Sequence, residues 1–378
     1  MQNYEMVATT LMGLENILAN EIKQLGGQDI EILKRAIKFN GDDKILFASN
    51  LGLRTALRIL VPLDEFFAYD DGDLYDAIKK IQWEKIMTLN HTLAVHASTS
   101  GHFFKHSQYA ALKVKDAIVD RFREITGERP SIDRDNPDIS LNVHIQNEKI
   151  ILSLDSSGVS LNKRGYRLHS NEAPISEVLA AGIIQMSGWT NQTPFYDPMS
   201  GSGTFSIEAA MLGSNTPPGL NRKFSFENWL DFDKKLFLKV KEEMVSKKNT
   251  DKMEIFASDI LASNVETIAE NIDNAKMNEF INLKKEDFFE SSPKNEKGTL
   301  FLNPPYGERM KMEDLGDFYS KIGDTLKQKY KGFDAWMISS DMAALKKVGL
   351  RAEQKTDLMN GGLEARLQKY TLFEGKRF

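Results

Sequence analysis

Apolar residues follow two rhythms along this chain, and the change from one to the other divides it. Tyr4 to Thr9 reads as a strand, and Leu11, Leu14, Ile17, Leu18, Ile22 and Leu25 then recur near helical spacing until Gly26-Gly27 stops them. Ile30–Leu33 and Ala36–Phe39 predict two short strands, closed by a turn at Gly41-Asp42. Ile45 to Leu53 predicts a helix and Arg58–Leu63 an extended segment. The texture then repeats, with a helix over Leu74–Ile81, a strand over Thr92–Ala97 and a long amphipathic helix from Gln108 to Thr126. Ala111, Val114, Ile118, Phe122 and Ile125 share one face of that helix. Ile139–Ile145 and Lys149–Leu154 predict a hairpin through Gln146-Asn147-Glu148.

Past the polar, glycine-bearing stretch Gly158 to Arg167 the order of elements changes. A helix over Ser176–Ser187 leads to a strand at Thr193–Tyr196, a glycine-rich turn and a helix through Phe205–Leu212. Further strands are predicted at Glu254–Ala257, Ile281–Lys284, Leu300–Leu302 and Ala335–Ile338, with helical patterns between them. Alternating strand and helix predicts a doubly wound, mostly parallel sheet. Asn360-Gly361-Gly362 followed by Leu363–Phe373 predicts a terminal antiparallel hairpin. An α/β domain is therefore expected over 158–378, behind two smaller α+β units over 1–55 and 56–157.

Composition narrows the chemistry. The net charge is −5, which excludes coating of nucleic acid or anionic membrane by bulk charge but not a local basic face. With no cysteine, disulfide scaffolds, thiolate metal sites and thiol nucleophiles are all excluded. No apolar run reaches membrane-span length, and Glu5, Glu15 and Glu21 interrupt what a signal peptide would keep apolar. A cytoplasmic protein is the expectation.

Three segments carry candidate chemistry. Asp197-Pro198-Met199-Ser200-Gly201-Ser202-Gly203-Thr204 follows a predicted strand and opens a predicted helix. Gly201 and Gly203 permit a tight turn and close approach of a ligand, and a helix N-terminus offers free N–H groups. A dinucleotide fold would want a third glycine at position 206, which is Ser206, and an acidic residue roughly 20 positions on. The first acidic residue after a strand is the more distant Asp259, so a dinucleotide-dependent dehydrogenase is disfavoured. Asp259 and Asp287 are both expected at the carboxyl edge of the sheet, where open α/β sheets bind ligands. One carboxylate there can hold the hydroxyls of a ribose and another the exocyclic amine of adenine; each can also be a helix cap.

The third segment is Asn303-Pro304-Pro305-Tyr306-Gly307-Glu308-Arg309, after a buried strand. Two prolines remove backbone donors and hold the loop extended. The Asn303 side-chain oxygen and the Pro304 carbonyl can then accept from one planar –NH2 group, with Tyr306 as an aromatic face beside it.

Together, Asp197 to Thr204, Asp259, Asp287 and Asn303 to Tyr306 resemble motifs I to IV of class I S-adenosylmethionine-dependent methyltransferases that modify amino groups. Asn-Pro-Pro-Tyr is shared by adenine-N6 DNA methylases, release-factor glutamine methylases and guanine-N2 RNA methylases. The extension Tyr306-Gly307-Glu308-Arg309 looks like the last group, as do Ser157 to Arg167, Glu172-Ala173-Pro174-Ile175 and the insertion from Pro217-Pro218-Gly219-Leu220 to Phe226-Glu227-Asn228-Trp229. Upstream, Gly13-Leu14-Glu15, Glu21, Leu25-Gly26 and Lys113 to Asp120 are similar to THUMP-containing methyltransferases. The resemblance spans essentially the whole chain and is to the bacterial RlmL/YpsC-type 23S rRNA guanine-N2 methyltransferases.

That resemblance implies a ferredoxin-like subdomain over 1–55, a THUMP RNA-binding domain over 56–157 and a Rossmann-like class I methyltransferase domain over 158–378. It implies S-adenosylmethionine as cofactor and RNA, above all 23S rRNA, as partner, with no metal and no membrane. Cofactor contacts are implied for Asp197, Ser200, Gly201, Gly203, Thr204, Asp259, Asp287, Phe288 and Asn303, and catalytic roles for Asn303, Pro304, Pro305 and Tyr306. A tRNA guanine-N2 methyltransferase and a non-catalytic RNA-binding or ribosome-assembly factor are the competing readings.

Basic and aromatic residues interleave around the long helix: His102, Phe103, Phe104, Lys105, His106, Tyr109, Lys113, Lys115, Arg121 and Arg123. Such a mixture suits RNA phosphates and unstacked bases, and equally a solvated helix face. Lys105, Lys113 and Arg121 are the RNA candidates there. Arg164 and Arg167 can meet RNA phosphate or an acidic neighbour. His102 and His106 lack a further ligand to complete a metal set.

Overall fold

Alternating residues in the N-terminal part build one continuous eight-stranded sheet, seen in a computed structural model that describes residues 3–167, 174–305 and 312–374. Its strands are β1 (Tyr4–Thr10), β2 (Gln28–Leu33), β3 (Ala36–Gly41), β4 (Ala56–Phe67), β5 (Thr92–Ser100), β6 (Ser131–Ile132), β7 (Ile139–Gln146) and β8 (Lys149–Asp155). They lie in the order β2-β3-β1-β4-β8-β7-β5-β6. The helices of this region are α1 (Glu15–Leu25), α2 (Asp43–Gly52), α3 (Asp71–Lys80) and α4 (Ser107–Thr126).

The sheet does not break between residues 55 and 56. β4 joins its two halves, with Ala56–Leu60 pairing to β1 and Leu60–Phe67 to β8. It is twice as long as the predicted Arg58–Leu63, starting two residues earlier and running four further to Phe67. Proline brings no N–H to a ladder, and the register to β8 shifts between Pro62 and Asp64 to accommodate this. One core lies between α3, α4 and the sheet, holding Leu74, Ile78, Val114, Ile118 and Phe122 against Leu141, Val143, Ile150 and Leu152. Ile125, expected on the buried stripe of α4, is exposed in its last turn.

The remaining elements are α5 (Glu177–Met186), β9 (Phe195–Asp197), α6 (Thr204–Gly213), α7 (Lys234–Val245), β10 (Ile255–Asp259), α8 (Ala262–Ala275), β11 (Ile281–Lys285), β12 (Gly298–Leu302), α9 (Met312–Lys329), β13 (Phe333–Ser339), α10 (Met342–Lys347), β14 (Gln354–Asn360) and β15 (Leu363–Thr371). The second sheet runs β11-β10-β9-β12-β13-β15-β14. β9 to β13 are parallel, and β14–β15 is the terminal antiparallel hairpin. β12 is buried on both faces, as a central strand of a doubly wound sheet must be. Leu300 and Leu302 pack with Leu315, Tyr319 and Ile322 of α9, while Phe301 stacks on Phe195 at 4.6 Å and meets Phe205 of α6 at 5.5 Å.

Contacts divide the chain into two units that exchange segments. Arg222–Glu243 belongs with Met1–Thr10 and Ala19–Leu161, whereas Leu11–Leu18 belongs with Asn162–Asn221 and Met244–Phe378. Aromatic packing explains the first exchange: Phe47 of α2 lies 4.8 Å from Phe226, 5.9 Å from Phe232 and 5.5 Å from Phe237. In the other unit Leu14 is fully buried against Gly182 of α5, where a Cβ would come within 2.5 Å of it.

Candidate active site

Strand order identifies where this second sheet can bind a ligand. From β9 the chain winds outward through β10 to β11 and then returns to add β12 on the opposite side of β9. Helices after β9 and β12 leave in opposite directions, so the crevice outside the carboxyl ends of these strands is a topological switch point. Asp197 ends β9, Asp259 ends β10, Asp287 follows β11 and Asn303 follows β12. All four therefore share one edge.

The turn after β9 is held by a closed set of hydrogen bonds. Gly201 (φ +59°) and Gly203 (φ +78°) both occupy the left-handed region that favours glycine. The Gly201 N–H donates to Asp259 Oδ2 at 3.0 Å, and the Gly203 N–H donates to the Ser200 carbonyl at 2.8 Å. Ser200 Oγ donates to the Asp197 carbonyl at 2.6 Å. A Cβ at Gly201 would meet nothing within 4 Å, so the outer side of the turn is open; at Gly203 it would strike Ile268 Cγ2 at 2.9 Å.

The carboxylate of Asp197 faces inward. Its Oδ2 accepts from Ser206 Oγ at 2.8 Å and from the Ser206 N–H at 3.3 Å. Position 206, glycine in a dinucleotide fold, thus supplies a hydroxyl that ties the strand end to α6. Burial pushes the Asp197 carboxyl up to about 7, against the opposing effect of the hydrogen bonds from Ser206 and Ser200. Asp197 thus shapes the turn through Oδ2, which is bonded to Ser206.

Asp259 draws on three donors: Gly201 N–H, Leu261 N–H and Asn264 Nδ2, each at 3.0 Å. It is a cap for the residues that follow and also a tie to the glycine turn. Asp287 is half-buried and accepts from the Phe289 N–H at 2.8 Å. Phe288 departs from expectation, since its ring is 3% exposed and packs 5.5 Å from Tyr330 in the core beneath α9. Its side chain offers no face to a ligand.

Asn303 supplies the most telling atom of the site. Its Oδ1 is buried and has no hydrogen-bond partner among the described residues. Pro304 is buried, and the Pro305 carbonyl accepts a long hydrogen bond from Tyr319 at 3.5 Å. The same Tyr319 hydroxyl lies 2.8 Å from Ser339 Oγ, which ties the loop to β13. Tyr306 lies outside the described residues, as do Gly307, Glu308 and Arg309.

Two residues at this edge escaped the sequence reading. Ile260 and Leu261, directly after Asp259, are 57% and 56% exposed. The signal was available: an apolar pair at the carboxyl end of a strand, where a turn is normally polar.

The basic residues divide between those paired within the protein and those left exposed. Arg121 forks onto Glu84, with Nε to Oε2 at 2.9 Å and Nη2 to Oε1 at 2.7 Å, and that pairing holds the Glu84 carboxyl down at about 2. Arg164 is 2% exposed and faces Glu208 at 3.5 Å. Arg167 donates to Thr204 Oγ1 at 2.6 Å. Arg121 is thus paired with Glu84 at the surface, while Arg164 and Arg167 meet partners within the methyltransferase unit. Lys105 remains exposed, and Lys113 Nζ sits 5.7 Å over the Tyr109 ring. Phe103 is exposed against Tyr69 at 5.8 Å, whereas Phe104 is buried core. His102 and His106 precede α4, so no helical face pairs them. Among the described residues no group of three or more His, Asp or Glu could hold a metal, and no helix is long and apolar enough to cross a membrane.

A doubly wound sheet with a glycine turn after its first strand and an Asn-Pro-Pro loop after its fourth defines a class I methyltransferase fold. Comparison with known proteins agrees. The family described as "RMKL-like, methyltransferase domain" matches residues 164–369, the THUMP domain matches 68–155, and the RlmL ferredoxin-like domain matches 5–60. A Synechocystis protein provisionally named as an RNA methyltransferase, slr0064, is 37% identical over 97% of this chain and 96% of its own. SMU.472, provisionally named a methyltransferase and crystallised with S-adenosylhomocysteine, is 30% identical, covers both chains completely and superposes with a TM-score of 0.88. A Listeria monocytogenes protein named as a predicted N6-adenine-specific DNA methylase is 29% identical over 98% of this chain and 97% of that one, with a TM-score of 0.87. The chain belongs to the RMKL-like methyltransferase family and carries its THUMP and ferredoxin-like modules.

Proposed function

We propose that this protein methylates the exocyclic N2 amine of a guanine in RNA, with 23S rRNA as the target and the cytoplasm as the setting. One observation carries the reading. Asn303 Oδ1 is a buried acceptor with no partner among the described residues, at the carboxyl end of the central strand. Leaving such an atom unpaired costs on the order of 1–3 kcal/mol, a cost removed when a donor such as an –NH2 group arrives.

S-adenosylmethionine supplies an electrophilic methyl group on a sulfonium. The residues fit it: the outer side of Gly201 is open, Asp259 braces the glycine turn, and Ile260 and Leu261 present unspent apolar surface of the kind a flat adenine covers. The S-adenosylhomocysteine bound by SMU.472 supports the same cofactor.

The guanine N2 lone pair is delocalised into its ring and is a poor nucleophile. Asn303 Oδ1 and the Pro304 carbonyl accept the two amine hydrogens, turn the lone pair out of conjugation and favour the positive charge that develops on nitrogen. No strong base is needed, because the methylated amine loses its proton to water. A base taken from a helix costs a few kcal/mol to extrude, and Tyr306 is assigned the stacking contact that offsets it.

The THUMP match and the name of slr0064 support RNA as the polymer. The name of the Listeria relative favours adenine N6 instead, and the Asn303 loop would accept either amine. The resemblance through Gly307-Glu308-Arg309 and Ser157 to Arg167 favours guanine, in tRNA as a second choice. Incubation with tritiated S-adenosylmethionine and purified 23S rRNA, tRNA or duplex DNA, followed by nucleoside digestion, tests this. N2-methylguanosine from 23S rRNA is expected; label only in N6-methyladenine would overturn it.

A further inference from the structure

The terminal hairpin reaches further than the strand that carries it. β13 ends at Ser339, which pairs with Arg366 of β15, and Arg366 pairs in turn with Asp357 of β14. Three more rungs follow, Leu358 with Ala365, Met359 with Glu364 and Asn360 with Leu363, and Gly361-Gly362 closes the tip. β14 and β13 are both antiparallel to β15, so the overhang projects from the carboxyl edge, the edge that also carries Asn303.

One apolar face of the overhang is left uncovered. Side chains alternate along a strand, so Leu363 shares a face with Ala365 and Leu367. Those two are 2% and 1% exposed, whereas Leu363 is 57% exposed. The segment Leu11–Leu18 reaches this face at Leu358, opposite Ala365, where a Cβ on Gly13 would come within 2.7 Å of Leu358 Cδ2. At the tip, a Cβ on Gly361 or Gly362 would meet nothing within 4 Å. A single exposed leucine is ordinary on a surface, but this one stands on an overhang beside a substrate-binding edge.

The register fixes its place relative to the amine acceptor. Leu302 of β12 pairs with Met337, and Met337 with Gln368, so Asn303 is level with Leu367 and four rungs short of Leu363. At roughly 3.3 Å per residue and 4.8 Å between strands, Leu363 stands about 13 Å further out and about 10 Å to the side. A base held at Asn303 after turning by about 180° out of a helix leaves its vacated place outside the pocket, further from the sheet edge than the base itself. The tip has the chemistry for that place and not for phosphate. Residues 359–363 are Met, Asn, Gly, Gly and Leu, with no cation, and Glu364 adds a carboxylate. Leucine is among the side chains that proteins wedge between base steps, and the two glycines leave room for a polynucleotide to pass close.

We propose that Leu363 enters the RNA stack as an apolar wedge, in the place the target guanine leaves when it is held at Asn303. This rests on the proposed methylation of an RNA guanine and adds to it the residue that keeps the helix open.

The full chain with 23S rRNA and S-adenosylhomocysteine tests it through Leu363→benzoylphenylalanine, a photoreactive side chain. Lys331→benzoylphenylalanine, exposed before β13 at the opposite edge of the sheet, is the control. After irradiation, crosslinks from position 363 are expected at nucleotides flanking the guanine that the wild-type protein methylates, and none there from position 331. In single-turnover transfer to 23S rRNA, Leu363→Gly is expected to lose about tenfold or more and Leu363→Met to stay within about threefold, with S-adenosylhomocysteine affinity within about twofold of wild type in both. Guanine label without crosslinks from position 363 above the control overturns the proposal while the proposed function stands. Leu363→Gly at the wild-type rate, or a loss that Leu363→Met shares, overturns it too. So does a fall in Tm or cofactor affinity in step with the rate, which would assign Leu363 to the hairpin alone. No guanine label from the wild-type protein overturns both readings.

Discussion

Asn303→Ala separates catalysis from stability in a way few substitutions do. In the ligand-free protein Asn303 Oδ1 is buried without a partner among the described residues, so truncation deletes an unpaired polar atom rather than a hydrogen bond. Relief of that penalty, on the order of 1–3 kcal/mol, outweighs the small packing loss, for a net gain of about 1 kcal/mol and a rise in Tm of about 2 °C. In the transition state the same atom faces an amine acquiring positive charge, where one preorganised partner is worth roughly 2.7–4 kcal/mol, or about 10²–10³ in kcat. The glycine turn and Asp259 are untouched, so the donor's dissociation constant should stay within about twofold. Differential scanning calorimetry and single-turnover methyl transfer measure the two sides. Asn303→Ala that keeps more than about a tenth of wild-type kcat, or that loses Tm together with activity, refutes the reasoning.

Asp259→Ala removes the carboxylate that the N–H of Gly201, the N–H of Leu261 and Asn264 Nδ2 share, and is expected to weaken S-adenosylmethionine binding by roughly tenfold or more; an unchanged dissociation constant would leave Asp259 as a cap only. Alanine at Gly201 or Gly203 pays about 1–2 kcal/mol for a left-handed conformation, but only Gly203→Ala also strikes Ile268. Gly203→Ala should therefore lower Tm more than Gly201→Ala, while Gly201→Ala mainly weakens the cofactor; equal losses of Tm would contradict the geometry. Asp197 has a folded pKa of about 7, above its unfolded value near 3.9, so the folded form holds its proton longer. Its contribution to stability is undiminished at low pH, falls as pH rises between those two values by about 4 kcal/mol, and is flat above them. Asp197→Asn should remove that fall, gaining on wild type in urea midpoint between pH 5 and pH 8; parallel profiles would argue against a buried, half-protonated Asp197.

Local pattern revealed most of the elements because each is short and one face of it meets a core. The turn at Asp197–Thr204 and the loop at Asn303–Pro305 were legible for a different reason: glycine, proline and asparagine have backbone and hydrogen-bonding properties that do not depend on distant residues. What depended on distant partners was hidden. Arg121 read as an RNA candidate and Arg164 as a partner for RNA phosphate or an acidic neighbour, and the carboxylates they meet, Glu84 and Glu208, lie 37 and 44 positions away in sequence. Phe288 read as a ligand contact next to Asp287, and only the tertiary packing of Tyr330 shows that its ring is core. The assignment of 222–243 to the N-terminal unit depends on Phe47, far upstream, meeting Phe226, Phe232 and Phe237. The predicted strand ended at Leu63, and the register shift between Pro62 and Asp64, past which β4 runs on to Phe67, has no local signature.

The central claim, methyl transfer to guanine N2 in 23S rRNA, is tested most directly by nucleoside mass spectrometry of rRNA and tRNA fractions from a strain deleted for this protein. The account predicts that N2-methylguanosine falls in the 23S fraction, is unchanged in tRNA, and returns with the wild-type chain but not with Asn303→Ala. Unaltered 23S N2-methylguanosine, with loss instead of the tRNA nucleoside or of N6-methyladenine, would contradict it.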